Sequence, residues 1–208
     1  MKQWLWLLLT VFAVGCMHRE GDKLWPRLRA AGYLNIYIEP HPDLWPVAVL
    51  DGCKLWSSEG VRCELTQDRE LAQAVLRMDT TDEWCYLDDS GQSTIAETWP
   101  GREQGVIAFY SACLHFQFGD DIPAEKLELY TAHEIGHVLG VQHVPTDCLD
   151  PISSLNDDDD ALLTHEGRPI CGPAIMNAVP SRYFPGPAYE TAADHQAYQV
   201  RDRENSIF

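Results

Sequence analysis

The sequence predicts a single α+β domain over residues 33–208, and three patterns favour this fold class. Between positions 33 and 110, short segments rich in β-forming residues alternate apolar and polar side chains, which is typical of half-buried strands. A helical spacing then relates Leu127, Tyr130, His133, His137 and Gly140, and a second helical pattern spans residues 190–201. With 208 residues, 45% of them hydrophobic, the chain is long enough to bury one core.

Five strands are predicted in the N-terminal half of the chain. The third has a helical alternative, because Glu70 and Leu71 just before it favour a helix. A turn at Pro100-Gly101 separates the last two strands. The predicted strands are residues 33–39, 61–66, 72–78, 93–97 and 105–110.

The helices are predicted from their start and stop signals. A turn at Pro42 precedes a helix over residues 44–56, and Gly60 follows it as a stop. In the central helix Asp121 is the predicted N-cap, and Pro123 lies in the first turn. A further short helix is predicted near residues 24–31. The predicted buried side of the 44–56 helix is Leu44, Val47, Leu50 and Leu55, and its two tryptophans, Trp45 and Trp56, are assigned to the core.

Residues 131–143 carry the chemistry of a metal site. His133 and His137 are four residues apart, so on a helix both lie on one face and can reach a single ion. Gly140 can adopt the left-handed conformation that ends a helix, which lets the chain turn and bring His143 to the same ion. Three neutral imidazoles are a typical ligand set for a catalytic Zn²⁺, and Glu134 lies where a general base could hold water. The alternative is a helix without a metal site, whose histidines face solvent or form hydrogen bonds with groups in the core.

This segment resembles the metzincin clan of zinc endopeptidases, whose signature HExxHxxGxxH it matches at every fixed position. Downstream, Ala174-Ile175-Met176-Asn177 is similar to the Met-turn that lies beneath the metal in that clan. A lone methionine such as Met176 is also a common core filler, and the two roles coexist because the Met-turn is itself packing.

The resemblance implies a matrixin-like catalytic domain with a twisted mixed sheet and an active-site helix. It also implies a C-terminal subdomain that holds the Met-turn and a final helix. Residues 94–99 resemble the edge strand that pairs with substrate in the clan, although a strand without that duty is equally compatible. Val144 stands where matrixins have Ser and astacins have Glu, so the subfamily stays unassigned.

The site predicts a zinc-dependent endopeptidase that uses one catalytic Zn²⁺. The ion would activate a water molecule, and Glu134 would act as the general base that takes its proton. The expected substrate is a protein or peptide. Two alternatives remain open: a non-catalytic, zinc-containing surface binding module, and a zinc amidase that acts on cell-wall material.

The N-terminus predicts export. Residues 1–15 form a signal peptide, with Lys2 followed by an apolar run too short to span a bilayer as a helix. Small residues directly before Cys16 resemble a bacterial lipobox, in which the cysteine is lipidated; an ordinary secretory signal is the alternative. Met17, rather than Asp, then favours an outer-membrane lipoprotein over inner-membrane retention, and residues 16–32 would form the tether.

Cysteine usage agrees with export. Six cysteines remain after Cys16, which is an even number in a chain predicted to reach an oxidising compartment. Fifteen pairings are possible, and short loop closure favours neighbours in sequence. The predicted disulfides are Cys53 with Cys63, Cys85 with Cys113, and Cys148 with Cys171.

The formal charge of −17 argues against nucleic acid and anionic membranes as partners, because phosphate binding needs a basic surface. Membrane association is therefore expected only through the lipid anchor. The run from Asp157 to Asp160 is most simply a solvated loop. A Ca²⁺ site there is conceivable, but consecutive aspartates lack the spaced ligands of a calcium loop.

Overall fold

The structure, a computed structural model, describes residues 32–87, 93–99, 101, 104–144, 170, 174–176 and 191–205. These residues form five strands, four α-helices and two short 3-10 helices at Ser57–Glu59 and Arg69–Leu71. In chain order the main elements are β1 (Leu34–Ile38), α1 (Pro46–Lys54), β2 (Cys63–Leu65), β3 (Ala74–Asp79), β4 (Ala96–Trp99), β5 (Gly105–Tyr110), α2 (Ser111–Phe118), α3 (Ala124–Val138) and α4 (Ala192–Asn205).

The strands form one mixed sheet in the order β2-β1-β3-β5-β4. All neighbours are parallel except β4, which runs antiparallel to β5 with Thr98 opposite Ile107. Within the described sheet β4 is an edge strand, because it pairs with β5 alone. The mixed sheet predicted from the sequence is therefore present.

The core lies between one face of this sheet and helices α1 and α3. Because side chains alternate along a strand, Ile36, Leu76 and Ile107 reach the same face and are fully buried there. Leu127 and Ile135 of α3 belong to the same hydrophobic cluster. The burial of its apolar face fixes α3, which carries two of the histidines, against the sheet.

Several predicted boundaries differ from the structure. The fourth strand begins three residues later than expected, at Ala96, and α3 begins after Pro123 without a side-chain cap from Asp121. Helix α2 was not predicted, because its apolar residues do not form one stripe: Leu114 is buried, whereas Phe116 is 67% exposed. The helical alternative for β3 is wrong, since the helix-favouring residues before it form only a 3-10 turn.

The buried side of α1 also differs from the prediction. Val47 is 71% exposed, and the residues that face the core are Ala48, Val49, Gly52 and Cys53. Trp45 is 44% exposed and donates its indole N–H to the carbonyl of Pro42, so its assignment to the core was wrong. The buried residues of α1 are small, which lets α3 approach it closely.

Two of the three predicted disulfides are present. Cys53–Cys63 joins the end of α1 to the start of β2, and Cys85–Cys113 joins the segment after β3 to α2. Both cross-links therefore stabilise the sheet half of the domain. The third predicted pair, Cys148 with Cys171, lies outside the described residues.

Other predictions also fall outside the described residues. They are the signal peptide, Cys16, the short helix near residues 24–31 and the run from Asp157 to Asp160. In the part of the chain that the structure describes, no helix combines the length and the hydropathy needed to cross a bilayer.

Candidate metal centre

The second half of α3 places His133 and His137 on one face of the helix. Their Nε2 atoms lie 3.2 Å apart, and His133 is almost fully buried while His137 is half-buried. This is the arrangement that the four-residue spacing predicted.

The end of α3 returns the chain to the same point. Gly140 adopts a left-handed φ of 82°, and its N–H donates to the carbonyl of His137 while the N–H of Val141 donates to the carbonyl of Gly136. These two hydrogen bonds define a Schellman C-cap, which reverses the chain direction. The reversal brings the Nε2 of His143 within 3.2 Å of both helical histidines.

The three Nε2 atoms form an equilateral triangle with 3.2 Å sides. Nitrogens that bind one tetrahedral Zn²⁺ at 2.0–2.1 Å lie about 3.3–3.4 Å apart, so the triangle fits such an ion with little adjustment. In the described part of the chain, His133, His137 and His143 are the only group of this kind that could hold a metal ion.

Hydrogen bonds on the far side of two rings select the tautomer of each ring in its neutral form. His133 Nδ1 lies 2.8 Å from the carbonyl of Ile175, and His137 Nδ1 lies 3.0 Å from the carbonyl of Val141. A carbonyl oxygen only accepts, so each Nδ1 must donate its proton. Each neutral ring then directs the lone pair of its Nε2 into the triangle, and lone pairs this close repel unless a cation lies between them.

A turn at residues 174–176 supports the site from below. The carbonyl of Ile175 orients His133, and the carbonyl of Met176 accepts a 2.7 Å hydrogen bond from the N–H of Val144, the residue after His143. This turn therefore bonds both to His133 on α3 and to the residue that follows His143.

Asp194 holds that turn in place. Its buried carboxylate accepts 3.0 Å hydrogen bonds from the N–H groups of Ile175 and Met176. It also accepts from the N–H of Thr191, whose hydroxyl in turn accepts from the N–H of Asp194 at 3.3 Å. This reciprocal pair is a capping box at the start of α4. The first turn of α4 is thus bonded directly to the turn beneath the histidines.

Met176 and Trp56 form an apolar floor under α3. Both are fully buried, and both lie against Gly136, which has no side chain to keep them away. The indole N–H of Trp56 donates a 2.8 Å hydrogen bond to the carbonyl of Ala132, next to the first histidine. The floor therefore holds the helix by contact and by a hydrogen bond.

Glu134 lies on α3 between the two helical histidines and is 96% buried. Burial raises the pKa of its carboxyl to about 7, opposed by a hydrogen bond from Thr98 and by the nearby His143. The Thr98 hydroxyl donates to Glu134 Oε2 at 2.6 Å. A carboxyl group with this pKa can both take up and release a proton near neutral pH.

Three residues of the site were not found from the sequence. Thr98 carries no sequence signal for contact with Glu134, because the contact depends on how β4 packs on α3. Trp56 was assigned only to the core. Asp194 had a readable signal, since Thr191-Ala192-Ala193-Asp194 fits a capping box, but the pattern does not reveal its bonds to the 174–176 turn.

The fold and the site define the chain as a mixed α/β domain with a three-histidine group that can hold a metal ion. No protein-family model and no curated protein matches it. Among solved structures, one of myroilysin has a TM-score of 0.46 and 12% identity, covering 82% of this chain and 83% of that one. Another has a TM-score of 0.37 and 14% identity, covering 55% of this chain and 44% of that one. Both similarities are weak, so only the geometry of the site itself bears on function.

Proposed function

We propose that the chain is a zinc-dependent endopeptidase with Glu134 as its general base. The observation that carries this proposal is the triangle of Nε2 atoms with 3.2 Å sides, together with the buried carboxyl group of Glu134, which lies next to His133 on the same helix and is held by Thr98. A purely structural three-histidine site has no need of such a carboxyl.

His133, His137 and His143 would hold the ion, and the carbonyls of Ile175 and Val141 keep the first two rings in the correct tautomer. Zn²⁺ bound there would polarise the scissile carbonyl and lower the pKa of water toward ~7. Glu134 takes the proton from the attacking water and passes it to the leaving amine. No covalent intermediate with the protein is required.

Met176 supports placement in the metzincin clan, with the subfamily unassigned. We propose that the turn at Ile175 and Met176 is the Met-turn of that clan, because it lies directly against the metal-binding helix at Gly136. The matrixin-like organisation of the catalytic domain, with a final helix behind the turn, is part of the same proposal.

Strand β4 is the proposed site of substrate pairing. It is the edge of the described sheet, it runs antiparallel to β5, and its Thr98 contacts Glu134. An extended peptide added along this edge would bring its backbone beside the carboxyl group that does the chemistry.

We also propose that the chain is exported and, through Cys16, anchored as an outer-membrane lipoprotein. The two disulfides support an oxidising compartment, because such bonds are rare in reducing ones. Labelling with a lipid precursor would test this, since Cys16→Ala should abolish incorporation.

The function is tested with Glu134→Gln and its matched control Glu128→Gln, a glutamate on the same helix outside the triangle. Wild type should bind one zinc per chain and cleave a quenched peptide library in a chelator-sensitive manner. Glu134→Gln should keep the zinc but lose about 10²- to 10⁴-fold in kcat, whereas Glu128→Gln should keep both.

Two results would count against the proposal. Undiminished hydrolysis by Glu134→Gln would remove that residue from the role of base. One zinc per chain without cleavage of any peptide would instead favour the zinc amidase or the binding module.

A further inference from the structure

The carboxylate of Glu134 is held from one side by strand β4. The Thr98 hydroxyl donates to Oε2 at 2.6 Å, a distance typical of a hydroxyl bonded to a charged acceptor. The same hydroxyl lies 3.2 Å from the main-chain carbonyl of Glu134. Thr98 thus touches one residue of α3 at both its backbone and its side chain.

The sheet fixes the position of this hydroxyl. Thr98 lies opposite Ile107 in the antiparallel β4–β5 ladder, and Ile107 is fully buried on the face that packs on the helices. The side chain of Thr98 therefore points toward α3 as well, and the β-branched Cβ of Thr98 restricts rotation of its hydroxyl. Thr98 is half-buried, so water competes less for this hydrogen bond than at an exposed site.

We propose that Thr98 is a positioning residue for the general base Glu134. By engaging Oε2, it leaves the other carboxylate oxygen as the one that takes a proton from water, and it restricts rotation of the carboxylate. This inference rests on the proposed function and adds a residue of β4, the strand proposed to bind substrate, to the machinery of that site. General-base catalysis is sensitive to such placement, because an error of about 1 Å can cost ~10²-fold.

The test compares Thr98→Val, which keeps the shape and removes the donor, with Thr98→Ser, which keeps the donor. Thr98→Val should lower kcat by about 10- to 100-fold with KM changed less than ~3-fold and one zinc per chain retained. Thr98→Ser should recover kcat to within ~3-fold of wild type.

The matched control is Thr81→Val. Thr81 donates its hydroxyl to Asp79 Oδ1 at the same distance, 2.6 Å, on an exposed turn after β3. Thr81→Val therefore removes a threonine–carboxylate hydrogen bond of the same length at a place away from α3. The kcat of this variant should stay at the wild-type value.

A double-mutant cycle separates positioning from simple support of the fold. If Thr98 acts through Glu134, then Thr98→Val in a Glu134→Ala background should not lower the residual rate further. The urea midpoint of the zinc-loaded chain gives a readout independent of activity. Thr98→Val should lower it more in wild type than in Glu134→Ala, where only the contact with the main-chain carbonyl remains. Equal losses in both backgrounds would mean that Thr98 only joins β4 to α3, and would overturn the inference.

The two proposals fail in distinguishable ways. An active wild type with an equally active Thr98→Val would overturn the role of Thr98 alone. A zinc-loaded wild type that cleaves no peptide would overturn the endopeptidase and, with it, the role of Thr98.

Discussion

Gly136 is tightly constrained by its neighbours although it is not one of the three histidines of the site. A glycine inside a helix costs about 1 kcal/mol relative to alanine, so helix propensity alone favours its replacement. A Cβ at this position would, however, collide with Met176 Sδ and come within 2.8 Å of Trp56 Cζ2. Both neighbours are fully buried and have little room to move.

Gly136→Ala is therefore expected to destabilise the domain by about 1–3 kcal/mol despite its better helix propensity. It should also weaken zinc binding by roughly 10-fold, because displacing Met176 disturbs the carbonyl that orients His133. Urea unfolding and competition with a chromogenic chelator would measure the two effects. Adding Met176→Ala should restore part of the zinc affinity; zinc affinity and stability equal to wild type in Gly136→Ala alone would contradict the packing argument.

Glu134 should also make the stability of the zinc-free chain depend on pH. Burial raises its pKa from 4.5 to about 7 on folding, so its protonated form stabilises the fold fully below pH 4.5 and that contribution is lost as pH rises through about 7. The stability of wild type relative to Glu134→Gln should therefore fall by roughly 2–3 kcal/mol across this interval. Urea unfolding at several pH values in the presence of a chelator measures it, and parallel curves for the two chains would refute it.

The sequence was most informative about the three histidines of the site. The spacing of His133, His137 and His143 with Gly140 was sufficient to place three imidazoles at one point, because it depends only on helix geometry and one C-cap. The role of Gly136 could not be predicted, because the side chain it accommodates comes from position 176.

At the scale of elements, α4 supports the site although it carries none of the three histidines. Its first turn holds the 174–176 turn through Asp194, and Tyr198 packs against Trp56 with ring centroids 6.3 Å apart. The side chain of His195 also contacts Glu59 in the 3-10 helix that follows α1. Helix α4 thus supports the floor of the site from two directions.

Asp194→Asn tests whether Asp194 supports the metal site through the 174–176 turn or only caps the start of α4. An asparagine has one oxygen where the aspartate uses two to accept hydrogen bonds from four donor groups, so at least one buried N–H loses its partner. We expect a loss of about 1–3 kcal/mol in stability and roughly 10-fold in zinc affinity. Asp51→Asn, which disrupts an exposed ion pair with Lys54, is the control and should change stability by less than ~1 kcal/mol. Unchanged zinc affinity in Asp194→Asn would show that the 174–176 turn keeps its conformation without Asp194.

Elements with a clear period were predicted, and elements without one were not. The strands and α3 were found because alternation or a 3.6-residue repeat reports the burial of one face. Helix α2 was missed because its burial comes from β5 and from the Cys85–Cys113 bond rather than from one apolar stripe. The start of β4 was misplaced because strand ends depend on pairing with the neighbouring strand.

At the scale of the molecule, the described sheet is cross-linked by two disulfides. The described segments from 143 onward have no described disulfide and meet the rest of the fold around the three histidines, at Trp56 and at Glu59. A zinc ion bound there would join α3 to the chain that follows it. Metal binding is then part of the folding free energy of this region.

Acidification should therefore release zinc and loosen the fold together. Imidazoles must be neutral to bind Zn²⁺, so we expect zinc content and activity to fall as pH drops below about 6, accompanied by a lower unfolding temperature. Dialysis at stepped pH followed by metal analysis and calorimetry would follow both quantities. A chain still fully metallated and active near pH ~4 would contradict this expectation.

The hydrogen bond from His133 to Ile175 spans 42 residues of sequence, and Asp194 lies a further 19 residues beyond Ile175. During synthesis all three histidines leave the ribosome well before the segment that orients them. The peptide from 133 to 143 alone would carry the three histidines without the carbonyl that sets the His133 tautomer. In each new molecule His133 therefore lacks its partner carbonyl until Ile175 has been made, and the turn that carries this carbonyl lacks its own support until Asp194 follows.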